Sequence, residues 1–90
     1  SGGSILREAM ACGKVALSVD GPSHSQKAFM KKDNSILVSH IDFVDNAVKE
    51  IMLLYDNMER RNKLGENARK YSVKSLSFEK QAKDILSYYN

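Results

Sequence analysis

The fold class of this 90-residue chain is decided by one short stretch, VALSV at residues 15–19. Because this stretch is almost wholly apolar, it predicts a strand that is covered on both faces, as in parallel sheets. The residues DGPS at 20–23 predict a turn, and a short helix is expected from His24 to Met30. SILV at residues 35–38 predicts a second strand. Strand, helix and strand at this spacing form a βαβ-type unit with parallel strands, so we expect an α/β fold.

Helical patterns flank this unit on both sides. Residues 5–11 have helical spacing of apolar residues and end near Gly13, which is placed as a helix C-terminal glycine. After the second strand, Asp42, Asn57 and Ser77 are each placed to cap one of three successive helices. Gly65 interrupts the second of these helices at a cost of roughly 1 kcal/mol relative to alanine. The first of the three is expected to bury one stripe: Val44, Ala47, Val48, Ile51, Leu54, Tyr55 and Met58.

Composition excludes several classes of protein. A single cysteine cannot build a disulfide framework or a structural zinc site, which favours a reducing compartment, and Cys12 is expected to be a small buried apolar residue. No apolar run reaches the roughly 20 residues that a membrane-spanning helix needs. With 42% hydrophobic residues the chain is too apolar for a disordered tail. We therefore expect a cytoplasmic protein.

The net charge of +3 is unevenly distributed. A basic stretch lies between residues 60 and 74 and comprises Arg60, Arg61, Lys63, Arg69, Lys70 and Lys74. Such a stretch is typical either of a contact with an anionic partner or of the solvated face of an ordinary helix. Because no aromatic residue alternates with these charges for base stacking, nucleic acid is not an expected partner.

The most specific motif is REAMACGKVA at residues 7–16. It closely resembles the donor-site motif of the family 4 glycosyltransferases, which have the GT-B fold. The resemblance continues through the turn at residues 18–22 and the strand NSILV at 34–38. Residues 60–70, with Leu64-Gly65 and Ala68-Arg69, are similar to an R-x-x-L-G-x-x-A-R helix of that family. SFE at 77–79 is similar to the start of its last helix, so the likeness covers essentially the whole chain.

This resemblance implies a partial Rossmann-like unit that forms the second half of a GT-B C-terminal domain. Residues 1–40 would supply the donor-site helix and the βαβ-type unit, and residues 41–90 the C-terminal helices. The first glutamate of the family motif would precede Ser1, so we expect a fragment of a longer enzyme. That enzyme would transfer a sugar from a nucleoside diphosphate to an acceptor hydroxyl, with retention, whereas the isolated chain would be inactive.

The resemblance also implies a set of donor-binding residues. Gly2, Gly3, Ser4 and Ile5 occupy the place of the glycine-rich turn whose backbone amides contact the diphosphate and the sugar. A turn that leads into a helix presents unpaired N–H groups and the positive end of the helix dipole to an anion. No catalytic residue is expected in this segment.

Side-chain candidates follow from the same motif. Glu8 matches the glutamate expected to accept hydrogen bonds from the ribose hydroxyls, and Arg7 and His24 are secondary candidates. Neither histidine has neighbours at metal-ligand spacing, so we expect no metal, and no cofactor besides the nucleotide-sugar substrate.

Two expectations concern partners. The rest of the parent enzyme would complete the sheet, and self-association of the chain is an alternative way to cover its strands, because a two-stranded sheet leaves both edges unpaired. The competing hypothesis on function is a non-enzymatic α/β module that binds a protein or an anionic surface through residues 60–74. Peripheral attachment to a membrane is compatible with either.

Overall fold

The computed structural model describes residues 2–20 and 25–89. Its elements follow in the order α1 (Gly2–Ala11), β1 (Leu17–Asp20), a short 3₁₀ helix (Ser25–Ala28), β2 (Ile36–Ser39), α2 (Phe43–Tyr55) and α3 (Met58–Tyr89). The described residues thus combine three α-helices with two strands. The predicted α/β class is therefore confirmed as a mixture of helices and strands.

The two strands form a parallel sheet, as the spacing of the two apolar runs predicts. Leu17 pairs with Ile36 and Asp20 with Ser39. Ile36 and Val38 of β2 are buried, whereas all four residues of β1 are half-buried. The predicted burial of β1 is thus only partial: its residues are half-buried, and β2 is its only neighbouring strand among residues 2–20 and 25–89.

Apolar side chains form two clusters. The first joins Ile36 and Val38 to Ala47, Leu54 and Leu64, so it connects β2, α2 and α3; Val15, Leu17 and Phe43 pack against it. The second joins Met10, Ala16, Met30 and Ala68, with Leu6, Phe29, Leu37 and Tyr71 packed around it. Because successive residues of a strand point to opposite faces, Ile36 and Leu37 reach different clusters. The helix α3 contributes to both clusters.

Among residues 40–89, two helices follow β2, instead of the three that the sequence predicts. Asn57 caps α3 as expected, because its Oδ1 accepts a hydrogen bond from the Arg60 amide at 3.0 Å. Ser77, however, lies inside α3 and begins no new helix. No proline or glycine occurs after Gly65 in this helix, and Ser77 is exposed, so neither the backbone nor packing forces a break there.

Gly65 is explained by a close approach of two backbone segments. A Cβ built on Gly65 would overlap the carbonyl oxygen of Gly13, so any side chain at position 65 would push α3 away from the turn that follows α1. Gly13 itself has a φ of +74°, a conformation that glycine adopts without steric cost. The glycine that interrupts the helical pattern of α3 is thus a packing residue.

The stripe predicted on α2 is only partly correct. Ala47 and Leu54 are buried, but Val44, Val48, Ile51 and Tyr55 are 71%, 49%, 56% and 80% exposed. This helix packs through the side that carries the two buried residues, and nothing else in residues 2–20 and 25–89 covers the rest of the stripe. Asp42 precedes α2 as predicted but has a left-handed backbone, with φ 51°, and its side chain makes no capping hydrogen bond.

Candidate functional site

The start of α1 carries the residues predicted to bind the diphosphate. Gly2, Gly3 and Ser4 are helical, so α1 begins three residues earlier than the expected helix at 5–11, and these residues do not form the glycine-rich turn that the resemblance implies. Amides in the first turn of an α-helix have no intrahelical acceptor and lie at the positive end of the helix dipole. Ile5 is the fourth helical residue, and its side chain is 69% exposed.

Glu8 lies on a groove between α1 and the middle of α3. The groove has a volume of about 480 Å³, and both Arg7 and Glu8 contribute to its wall. Phe29 and Tyr71 line its apolar part, while Ser72, Ser75 and Glu79 supply polar groups from α3. Glu8 is exposed, so its carboxylate is accessible to a ligand. The structure therefore brings two of the predicted side chains to one cavity.

Arg7 is held across this groove. Its Nη2 lies 3.1 Å from Glu79 Oε1, with the two side chains 52% and 50% exposed, and its guanidinium carbon lies 5.6 Å from the centre of the Phe29 ring. Ion pairs this exposed contribute about 1 kcal/mol or less, and a cation–π contact at an exposed site a similar amount. An anion in the groove would therefore compete with Glu79 for Arg7 at little energetic cost.

A buried asparagine positions the apolar side of the groove. Asn34 is 3% exposed; its Oδ1 accepts a hydrogen bond from the Lys31 amide at 2.7 Å, and its Nδ2 donates one to the Phe29 carbonyl at 3.1 Å. The hydroxyl of Ser35, also buried, donates to the Lys31 carbonyl at 2.7 Å. Because these bonds fix the turn before β2, they set the position of the Phe29 ring beneath Arg7.

Phe29, Tyr71 and Glu79 were not predicted as members of the site. Glu79 lies 72 residues from Arg7 in the sequence, and Tyr71 donates a hydrogen bond to the Ala28 carbonyl, 43 residues away, at 3.3 Å. Helical spacing places Tyr71 on the inward side of α3 but does not indicate which element lies opposite. No local sequence signal could have assigned these residues to the groove.

Two further predictions have different outcomes. His24 lies outside the described residues. Cys12 is exposed in the turn after α1, so the prediction that it is buried is wrong.

Residues 2–20 and 25–89 contain no group of three or more His, Cys, Asp or Glu side chains arranged to hold a metal ion. Nor does any helix in these residues combine the length and the apolar character required to span a membrane.

The basic stretch on α3 is partly engaged within the molecule. Arg61 Nη1 donates to the carbonyls of Leu54 and Tyr55 at 2.7 and 2.6 Å, and so caps the C-terminal end of α2. Arg60 lies 3.4 Å from Glu50, which leaves less of its charge for an external partner.

Later in this stretch, a third basic side chain has a local partner. Lys70 Nζ lies 2.9 Å from Glu66, and the hydrogen bond and charge of Lys70, with the charge of Lys63, lower the pKa of Glu66. Arg69, Lys70 and Lys74 also border an open apolar groove of about 730 Å³ with Val73 and Phe78. The stretch is therefore a mixed surface, not a uniform cationic one.

No protein-family model, curated protein or solved structure matches the chain. Assignment to a family consequently depends on the residues of the motif at 7–16 and on their arrangement.

Proposed function

We propose that this chain is the second half of the nucleotide-sugar-binding domain of a GT-B glycosyltransferase of family 4. The observation that carries the proposal is the conformation of the motif REAMACGKVA. Its residues form the second half of α1, a turn at Gly13 and the approach to a parallel strand, with Glu8 exposed on a groove. A partial Rossmann-like unit is the finer fold assignment that this interpretation requires.

The N-terminal turn of α1 would bind the donor diphosphate. Unpaired amides of Gly2, Gly3 and Ser4 are suited to phosphate oxygens, because a small or absent side chain allows close approach and the helix dipole favours negative charge. One helical turn later, Glu8 would accept hydrogen bonds from the two ribose hydroxyls. A carboxylate is suited to this role because it offers several acceptor sites to two neighbouring donors.

The chemistry of the parent enzyme would be sugar transfer to an acceptor hydroxyl with retention at the anomeric carbon. Stabilisation of the departing diphosphate is an electrostatic task, to which amides at a helix N-terminus contribute. We assign no catalytic acid or base to this chain, and we expect the isolated 90 residues to bind a donor weakly without turning it over. An anionic-surface module is the weaker hypothesis, because Arg60, Arg61 and Lys70 are engaged within the molecule.

Titration of ¹⁵N-labelled protein with UDP-glucose and GDP-mannose tests the proposal. We expect one of these donors to shift the amide resonances of residues 2–8. Replacing Glu8 with glutamine should weaken binding about tenfold, since a hydrogen bond to a charged group contributes roughly 1.5–3 kcal/mol. Glu59→Gln is the matched control, because Glu59 is also an exposed helical glutamate but lies in the first turn of α3.

A ligand pair separates ribose recognition from general anion binding. UDP and its 2′,3′-dideoxy analogue carry the same diphosphate, so if Glu8 contacts the ribose, the difference between their affinities should be smaller with the Glu8→Gln variant than with the unaltered chain. Shifts centred on residues 60–74, or no shifts with either donor at millimolar concentration, would contradict the proposal.

A further inference from the structure

We propose that Arg7 binds the donor diphosphate, and that the diphosphate displaces Glu79 from the Arg7 guanidinium when the donor enters the groove between α1 and α3. The inference rests on the proposed function, because it names a further ligand of the same donor. It follows from the direction in which the two helices run, from the support of Arg7 by an aromatic ring, and from the weak ion pair that Arg7 makes with Glu79.

The packing of α3 against α1 places Arg7 beside the first turn of α1. The backbones of Gly13 and Gly65 lie in close contact, whereas Arg7 contacts Glu79. Residue numbers therefore fall along α1 while they rise along α3, so the two helices run antiparallel. Long side chains of an α-helix lean towards its N-terminus, so that of Arg7 extends over the turn at residues 3–4. Arg7 is thus placed to share one diphosphate with the amides of that turn.

The Phe29 ring supports Arg7 in the groove. The guanidinium carbon lies 5.6 Å from the ring centre, and the Arg7 side chain is 52% exposed. The N–H donors of a guanidinium lie in its plane, so contact of one face with a ring leaves them available to oxygen ligands. These coplanar donors match two phosphate oxygens at once. The buried Asn34 side chain donates to the Phe29 carbonyl and so holds this support in place.

Glu79 competes for these donors. Its Oε1 lies 3.1 Å from Arg7 Nη2, and both side chains are about half exposed. A phosphate oxygen and the Glu79 carboxylate would lie against the same edge of the guanidinium, so they exclude each other there. Exposed ion pairs are weak, and competition with one of typical strength lowers the apparent affinity for a ligand about two- to sixfold. Glu79 would therefore weaken donor binding without preventing it.

Substitutions on the two sides of the ion pair should have opposite effects on the affinity for UDP, measured by NMR titration of the full 90-residue chain. Arg7→Gln should weaken binding about tenfold, because a charge-assisted hydrogen bond is lost. Glu79→Gln should instead tighten binding about two- to sixfold, because Arg7 loses its competing partner. Arg7→Lys, which keeps the charge without the planar donors, should have an intermediate affinity. Circular dichroism shows whether each variant is folded.

Two other ion pairs that involve α3 supply matched controls. Arg60→Gln removes a cation paired with Glu50 at 3.4 Å, and Glu66→Gln removes an anion paired with Lys70 at 2.9 Å. Neither substituted residue lines the groove between α1 and α3, so both variants should bind UDP as the unaltered chain does. Equal effects of Arg7→Gln and Arg60→Gln would show that only net charge matters and would overturn the assignment.

The double variant separates exchange of partners from simple charge repulsion. If Glu79 acts by engaging Arg7, Glu79→Gln should not tighten binding in a chain that already carries Arg7→Gln. Equal tightening with and without Arg7 would mean that Glu79 only repels the ligand, and the exchange would be overturned. Titrations at an ionic strength of about 0.15 M, where the Debye length is roughly 8 Å, keep long-range repulsion small.

Parts of the donor distinguish failure of this inference from failure of the proposed function. Arg7→Gln should weaken binding of UDP and inorganic pyrophosphate but not of uridine, whereas Glu8→Gln should weaken binding of UDP and uridine but not of pyrophosphate. An effect of Glu8→Gln alone would overturn the role of Arg7 and leave the donor site intact. An effect of Arg7→Gln alone would support Arg7 as a diphosphate ligand and contradict ribose recognition by Glu8. No binding of UDP or pyrophosphate at millimolar concentration would overturn both.

Discussion

Residues 58–71 and residues 72–87 belong to the same helix, yet their surroundings differ. The first part, which we call the proximal half of α3, buries Leu64, Gly65 and Ala68 between the two apolar clusters. The second part, the distal half, exposes Phe78 at 72% and Leu86 at 64%. The 51 Å length of the molecule against 18 Å in its thinnest direction reflects this extension.

The difference teaches that helix continuity and helix packing have separate causes. Residues 66–89 contain no glycine or proline, so the backbone can stay helical to Tyr89 whether or not a partner is present. Packing instead requires side chains of the right size at the contact, and only the proximal half has small residues where α3 approaches the turn at Gly13 and the side chain of Met10. The distal half has apolar residues with no surface to receive them among the described residues.

The largest contrast should appear when one leucine is shortened in each half. Leu64 is 6% exposed, so Leu64→Ala leaves a cavity in the first cluster and should lower the free energy of unfolding by about 2–5 kcal/mol. Leu86 is 64% exposed, so Leu86→Ala should change the free energy of unfolding by less than about 0.5 kcal/mol. Urea denaturation followed by circular dichroism measures both. Equal effects would mean that the distal half is packed as tightly as the proximal half.

A smaller effect is expected from placing an alanine in each half. Alanine normally stabilises a helix by roughly 1 kcal/mol over glycine, but at position 65 its Cβ would overlap the Gly13 carbonyl, so Gly65→Ala should destabilise the chain by about 1–3 kcal/mol. Ser77→Ala in the distal half should be neutral or slightly stabilising, because Ser77 is exposed. Thermal unfolding of the two variants shows directly whether each substitution stabilises or destabilises the chain. A more stable Gly65→Ala variant would show that α3 does not approach Gly13 closely.

The smallest effect concerns the ion pair between Arg7 and Glu79, which ties α1 to the distal half. A double-mutant cycle with Arg7→Gln and Glu79→Gln should give a coupling energy of about 0.2–1 kcal/mol at low salt, decreasing as added salt screens these exposed charges. The pair between Glu66 and Lys70 provides a control within one helix. A coupling energy of zero would mean that the ion pair does not measurably stabilise the contact between the distal half and α1.

Prediction from the sequence succeeded where the signal is local. Apolar runs predicted the two strands, and the capping asparagine at position 57 predicted the start of α3. It failed where a local signal has more than one outcome. A serine such as Ser77 is common both at helix N-caps and on exposed helix surfaces, and the apolar stripe of α2 shows which residues could be buried without showing how many neighbours are present to bury them.

The candidate site also combines residues that the local sequence identified with residues that it could not identify. The motif at residues 7–16 identified Glu8 and Arg7 from their neighbours in the sequence, and its family assignment stays a proposal. The opposite wall of the groove, with Tyr71 and Glu79, comes from a helix more than 60 positions away along the chain, and no periodicity within α3 indicates that it lies against α1.

By itself, the sequence determined the elements of this protein that depend on short-range effects: the helical spacing of α1, the two apolar strands and the glycine at position 13. These follow from backbone sterics and from the alternation of apolar residues, which act over a few positions. Only the tertiary structure decided that α3 is a single helix, that Gly65 is required by the Gly13 carbonyl, and that β1 pairs with β2 alone among residues 2–20 and 25–89. These features depend on contacts between distant segments, and burial is a property of the whole arrangement of segments.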